Sequence, residues 1–184
     1  MTTATRMTAD EYFAVSVERD FTELIDGAMV VDEPFLLHNL AQGGIYTALR
    51  NWTDAAPNRG FAALPASIPV DRHNVFCPDV LWISEERLPE RLDERMRHLP
   101  DLAVEVRSPS TWRYDVGKKK ATYERAGLPE LWLVDTASYT VIVYRRSAPE
   151  RQSFDIELEL SYDDELTSPL LPGFSLPVER VFTR

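Results

Sequence analysis

Residues 100–135 read PDLAVEVRSPSTWRYDVGKKKATYERAGLPELWLVD, and this stretch decides the fold. From Leu102 to Arg107 the chain alternates as a strand does. Leu102, Val104 and Val106 fall on one face, and Ala103, Glu105 and Arg107 on the other. The spacing then predicts a helix from about Tyr114 to Ala126, stopped by Gly127 ahead of Pro129. ELWLVD follows as a second strand, with length and β-branched content to match.

Working outward, Thr8 and Glu11 have the spacing of a capping box in front of a short opening helix. TELI and AMVVDE flank Asp26-Gly27, a dipeptide suited to a tight hairpin turn. Apolar residues at Leu37, Leu40, Ala41, Ile45, Ala48, Leu49 and Trp52 predict an amphipathic helix from Leu36 to about Ala55, with Gly43-Gly44 weakening its middle. FAALPASIPV, VFCPDVLWIS and DLAVEV read as extended, and a charged segment from Glu85 to Arg97 separates the last two. TVIVYRR and SFDIELEL complete the strands, and the proline-interrupted tail ends in one helical turn. The order is that of a mixed α/β sandwich around one sheet.

The chain has 184 residues, 44% of them hydrophobic, and one cysteine, Cys77. That bounds it to one domain, residues 1–184, with residues 1–6 as an unstructured start, and rules out a disulfide scaffold. No apolar run approaches a membrane span and the opening lacks a secretory signal, so a soluble, cytoplasmic protein is expected. Thirty acidic against twenty basic residues give a net charge of −10, which argues against a protein that coats nucleic acid by general attraction. Within that acidic chain, the only lysines are the consecutive Lys118, Lys119 and Lys120.

Glu105 is a carboxylate in an apolar strand. A central strand would bury it and demand a cation, a metal or a proton; an edge strand would leave it in water or paired with Arg107. Asp79 follows Pro78 at the head of VLWIS, where Pro-Asp alone is a common turn signal. Two carboxylates on neighbouring strands can also share a hard divalent cation, which makes Asp79 and Glu105 a candidate pair. At about 100° per residue from Asp115, Lys119 joins Ala126, Tyr123 and Val116 in the apolar arc of its helix, while Lys118 points to solvent. Asp115, one turn earlier, is a ready partner for the Lys119 ammonium. That pair with a snorkelling stem could be all there is; the functional alternative is that the helix delivers Lys119 to the carboxylates.

The 100–135 segment, with PDVLWIS upstream, ELIDGAMVVDE near the start and SPLLPGFSLPVERVF at the end, resembles the Uma2 family of restriction-endonuclease-like proteins in the PD-(D/E)XK nuclease superfamily. The resemblance runs from about Met7 to Phe182. It implies a restriction-endonuclease-like α/β core, a central mixed β-sheet flanked by helices. It also implies Asp79 and Glu105 as metal-binding carboxylates, joined by the Val106 carbonyl as a further donor. The superfamily lysine position two residues after the glutamate holds Arg107, and the lysine matches instead on the following helix, in the D-x-x-x-K-x-x-x-Y pattern of Asp115, Lys119 and Tyr123. Glu23 matches the N-terminal acidic residue. His38 matches a histidine at the start of the first long helix, in an unusual FLLHNL setting that equally suits a capping or core residue. Leu131 replaces a family tyrosine.

The resemblance implies a Mg²⁺-dependent endonuclease acting on DNA, with Mn²⁺ as substitute and Glu23, Asp79, Glu105 and Lys119 as its catalytic set. A homodimer is the expected assembly. The competing expectation is an inactive nuclease-fold module that binds DNA or a protein partner. A sugar or nucleotide substrate is a third, supported by nothing beyond scattered aromatics.

Overall fold

Two of the extended stretches are broken by proline, and each break sends the chain into a different sheet. In the computed structural model, which describes residues 6–15 and 22–184, FAALPASIPV becomes β3 (Phe61–Ala63) and β4 (Ile68–Asp71). Likewise the second stretch becomes β5 (Asn74–Phe76) and β6 (Val80–Ile83). Proline has no N–H for a ladder, so Pro65 and Pro78 mark the crossings.

The single sheet expected from the order of elements is therefore two principal sheets. One pairs β1 (Thr22–Ile25) and β2 (Ala28–Val31) with β5 and β4 in the order β2-β1-β5-β4. The other contains β7 (Leu102–Val106), β8 (Glu130–Asp135), β9 (Thr140–Arg145) and β10 (Ile156–Leu160), in the order β10-β9-β8-β7-β6-β3. β7 and β8 are parallel and the other neighbours antiparallel, giving a central mixed sheet. A parallel pair needs a crossover. The helical segment after β7 supplies it: α3 (Trp112–Tyr114), a π turn (Asp115–Lys119) and α4 (Lys120–Arg125).

β7 lies between β6 and β8, so both its faces are covered. Leu102, Val104 and Val106 pack with Ala41, Ile45 and Leu49 of α2 (Leu36–Asp54), while Ala103 joins Tyr123, Leu131 and Leu133 on the other side. The long helix runs unbroken through Gly43-Gly44. A side chain at Gly44 would stand 3.2 Å from the Arg180 carbonyl of α5 (Glu179–Phe182), so the glycine permits that close approach.

The hairpin turn forms at Asp26 (φ 56°) and Gly27 (φ 76°), both left-handed as the two-residue turn requires. α1 (Ala9–Val15) carries its capping box: Glu11 accepts the Thr8 N–H at 2.8 Å, and Thr8 accepts the Glu11 N–H at 3.3 Å. Of the start expected to be unstructured, residues 1–5 lie outside the described residues, and Arg6 donates to the Asp26 carbonyl. The tail adds a pair unseen in the sequence, β11 (Glu165–Leu166) with β12 (Leu176–Pro177). Among the described residues, no helix is long and apolar enough to cross a membrane.

Glu130 fastens the tail to the sheet. Buried at the head of β8, it accepts from the Trp132 indole at 2.6 Å and the Ser168 hydroxyl at 2.9 Å. Glu130→Ala strands both donors. Urea unfolding should show a loss of about 2–4 kcal/mol; a loss below about 1 kcal/mol would contradict this role.

Candidate active site

The π turn decides which side chains of the crossover segment point inward. It opens the helix by one residue, so Asp115, Lys119, Thr122 and Tyr123 are buried while Val116 and Ala126 are exposed. The uniform helical spacing placed Val116 and Ala126 in the inner arc; in the structure Val116 is exposed on the π turn and Ala126 lies just past the end of α4. Lys119 keeps its inward position. The segment stops at Gly127 (φ 88°), where the Leu128 N–H reaches the Tyr123 carbonyl and the Gly127 N–H reaches that of Glu124.

Lys119 is 2% exposed, and its ammonium sits among three carboxylates from three elements. It donates to both oxygens of Glu23 on β1 at 2.9 and 3.0 Å. Glu105 on β7 lies 2.8 Å away and Asp115 on its own turn 3.1 Å away. Glu23 is anchored from behind by the Cys77 amide at 2.6 Å, and the Tyr123 hydroxyl donates to Glu105 at 2.8 Å. The buried, central reading of Glu105 therefore holds. Arg107 turns away and donates to both oxygens of Asp135, at 2.9 and 3.0 Å.

Asp79 opens β6 beside the end of β7. It accepts the Val106 N–H at 2.7 Å, and its other oxygen lies 3.0 Å from His38 Nε2 on α2. Gln42, one turn further along the helix, donates to the Asp79 carbonyl at 2.9 Å. Nothing in the FLLHNL pattern foretells this pairing, which depends on α2 packing over the β6–β7 edge.

Glu23, Asp79, Glu105, Asp115 and Lys119 face one cavity of about 300 Å³, which Asp32, Cys77 and Thr111 also line. Five carboxylates, those of Glu23, Asp32, Asp79, Glu105 and Asp115, thus oppose one lysine. The excess negative charge shows in the pKa values. Burial pushes Glu105 well up, with Lys119 pulling the other way and Glu23, Asp115 and Asp79 adding to the rise. Burial likewise lifts Asp115 to about 6. Burial also pulls Lys119 down, but Glu105, Glu23 and Asp115 outweigh it and hold the ammonium well above its ordinary value. Burial and the nearby Glu23 charge push the Cys77 thiol up to about 12, so it is no thiolate nucleophile at neutral pH. Desolvation opposes protonation of His38, yet the hydrogen bond and charge of Asp79 win and raise its pKa.

Among the described residues, no three or more His, Cys, Asp or Glu side chains form a ready metal cluster. Asp79 and Glu105 nevertheless offer hard oxygen donors to the same cavity. Each of their oxygens has one protein partner, which leaves lone pairs free, and the surplus negative charge suits a cation. The donor set therefore fits a hard divalent ion. Val106 meets Asp79 through its amide. Of the other two lysines, Lys118 pairs with Asp26 at 3.1 Å and Lys120 lies over the Tyr144 ring.

A family model described as "Uma2: Putative restriction endonuclease" matches residues 9–179. The fold is similar to the crystal structure of a protein described as a putative nuclease belonging to DUF820, from Anabaena variabilis ATCC 29413. That match has a TM-score of 0.76 at 20% identity and covers 96% of this chain and 97% of the other. No curated protein gives a significant match.

A carboxyl raised on folding keeps a proton that the unfolded chain has lost. Its contribution to stability therefore fades as pH climbs from the ordinary aspartate value of 3.8 through about 6. Thermal unfolding of metal-free protein should show Asp115→Asn gaining stability relative to wild type across that window. A difference between the two proteins that does not change with pH would contradict the placement of Asp115.

Proposed function

Because the chain belongs to the Uma2 family, described as putative restriction endonucleases, we propose that it hydrolyses phosphodiester bonds in DNA at this cavity, with Mg²⁺ or Mn²⁺ as its metal. The observation that carries this reading is the buried Lys119 ammonium gripped by Glu23, Glu105 and Asp115 beside Asp79. Ordinary structural ion pairs sit at the surface. This one occupies the wall of a cavity, where an ammonium can meet an anionic substrate.

Asp79 and Glu105 would hold the cation, whose chemistry is Lewis acidity and neutralisation of the phosphate's charge. The chain's own residues do the rest. Lys119 donates an N–H to a nonbridging phosphate oxygen as charge builds there, a task suited to a compact ammonium. Glu23, fixed by the Cys77 amide, orients the attacking water through its second lone pairs. Tyr123 fixes Glu105, and His38 with the Val106 amide fixes Asp79, so both carboxylates are aimed before substrate arrives. Arg113, Lys118 and Arg125, exposed on the same helical segment, would contact backbone phosphates. Cleavage of both strands calls for two copies of the chain related by a two-fold axis, matching the symmetry of the duplex.

One observation favours a second reading, a nuclease-fold module that binds without cutting: every oxygen of Asp79 and Glu105 already has a protein partner. Two measurements separate them. Wild-type protein should nick supercoiled plasmid with Mg²⁺ or Mn²⁺, and Asp79→Asn and Glu105→Gln should each lower the rate at least about 100-fold. Calorimetric titration with Mn²⁺ should show binding to wild type that either substitution removes. Absence of nicking, with or without metal binding, selects the module; nicking that survives both substitutions overturns the site.

A further inference from the structure

The hairpin that brings Glu23 to Lys119 also grips the loop leading into the π turn. Just past β2, Asp32 accepts hydrogen bonds through one oxygen from the hydroxyls of Ser108 and, at 3.2 Å, Ser110, and the Thr111 hydroxyl lies 3.5 Å from the same oxygen. The Glu33 N–H donates to Ser110 at 3.3 Å. Ser108, fully buried, also accepts the Thr111 N–H at 3.2 Å, closing the turn that starts the helical segment. The Thr111 hydroxyl lies 2.7 Å from Ser108 Oγ and 3.3 Å from Asp115 Oδ2, and the other Asp115 oxygen lies 3.1 Å from Lys119. An unbroken polar chain therefore runs from Asp32 through Ser108, Thr111 and Asp115 to the ammonium.

We infer that Asp32 is a positioning residue: its hydrogen bonds to the 108–111 loop set the phase of the π turn and thereby aim Lys119 into the cavity. This rests on the reading of Lys119 as the phosphate-facing group, but the placement itself can be tested without any cleavage assay. The geometry requires a residue of this kind. A π turn is the uncommon solution for a helix, and it persists where surrounding contacts fix it. Here the fixing contacts come from one hairpin, Glu23 on β1 holding Lys119 and Asp32 just past β2 holding the approach loop, so both are registered against the same ribbon. Asp32 is half-buried and belongs to none of the hydrophobic clusters, so its replacement opens no cavity in the core.

The test compares Asp32→Ala with Asp32→Asn. The amide oxygen of asparagine still accepts the Ser108 and Ser110 hydroxyls, whereas alanine accepts nothing. Acetic anhydride labelling read by mass spectrometry should find Lys119 protected in wild type and in Asp32→Asn. In Asp32→Ala its labelling should rise several-fold relative to Lys118 and Lys120. In DNA cleavage, Asp32→Ala should lower kcat about 10- to 100-fold with KM nearly unchanged, and Asp32→Asn should restore most of the rate. Unchanged Lys119 labelling in Asp32→Ala would overturn the inference. So would an asparagine variant as impaired as alanine, since charge rather than hydrogen bonding would then be at work. A wild-type protein that cuts no DNA would count against the nuclease reading alone, and the labelling ratio would still decide for or against Asp32.

Discussion

The ammonium of Lys119, buried among Glu23, Glu105 and Asp115, is the constraint around which the molecule is arranged. Burying an ion costs several kcal/mol after relaxation, and the cost is met only where opposite charges and hydrogen bonds arrive with good geometry. Each of the three carboxylates comes from a different element. β1, in one sheet, must bring Glu23 up to Lys119, β7 must be central in the other, and the crossover segment must turn Asp115 and Lys119 inward. Failure of any one leaves a charge without its partner in the interior, so the arrangement ties the two sheets and the helix together. Pro78 contributes by carrying the chain from one sheet to the other, which sets Asp79 at the head of β6 and beside Glu105.

That arrangement is not tuned for stability alone. Five carboxylates against one lysine is a poor balance for an interior, and burial, joined by the neighbouring carboxylates, raises the pKa values of Glu105 and Asp115. Sites that break the rules of a stable core are where chemistry is expected. The π turn belongs to the same pattern, since a regular helix would be easier to form but would not present this set of side chains. Elsewhere the molecule is conventional: α2 lays an apolar stripe on the sheet, and Glu130 ends in satisfied hydrogen bonds.

Much of this was legible in the residues. The alternation of Leu102 to Arg107 divides the two cores that the structure shows on either side of β7. Asp26-Gly27, the Thr8–Glu11 box and the Gly127 stop are local signals, and local signals survive because they depend on backbone torsions more than on distant packing. The inward position of Lys119 was legible as well, because a spacing of four holds the same face in both helix types. The two-sheet division was not, since a proline in an apolar run marks a break without saying where the chain goes next. Nor were the partners of Asp79 and Asp32. His38 and Ser108 lie 41 and 76 residues from them in the chain, and no periodicity reaches that far.

With only three lysines in the chain, the central claim can be tested with unusual directness. Nitrogen-detected NMR of protein carrying ¹⁵N-labelled lysine should show three ammonium signals. As pH is raised through the ordinary lysine value of 10.5, the Lys119 signal should persist, because its three carboxylates hold the proton. A Lys119 signal lost as pH passes that ordinary value would contradict the caged ammonium on which the account rests.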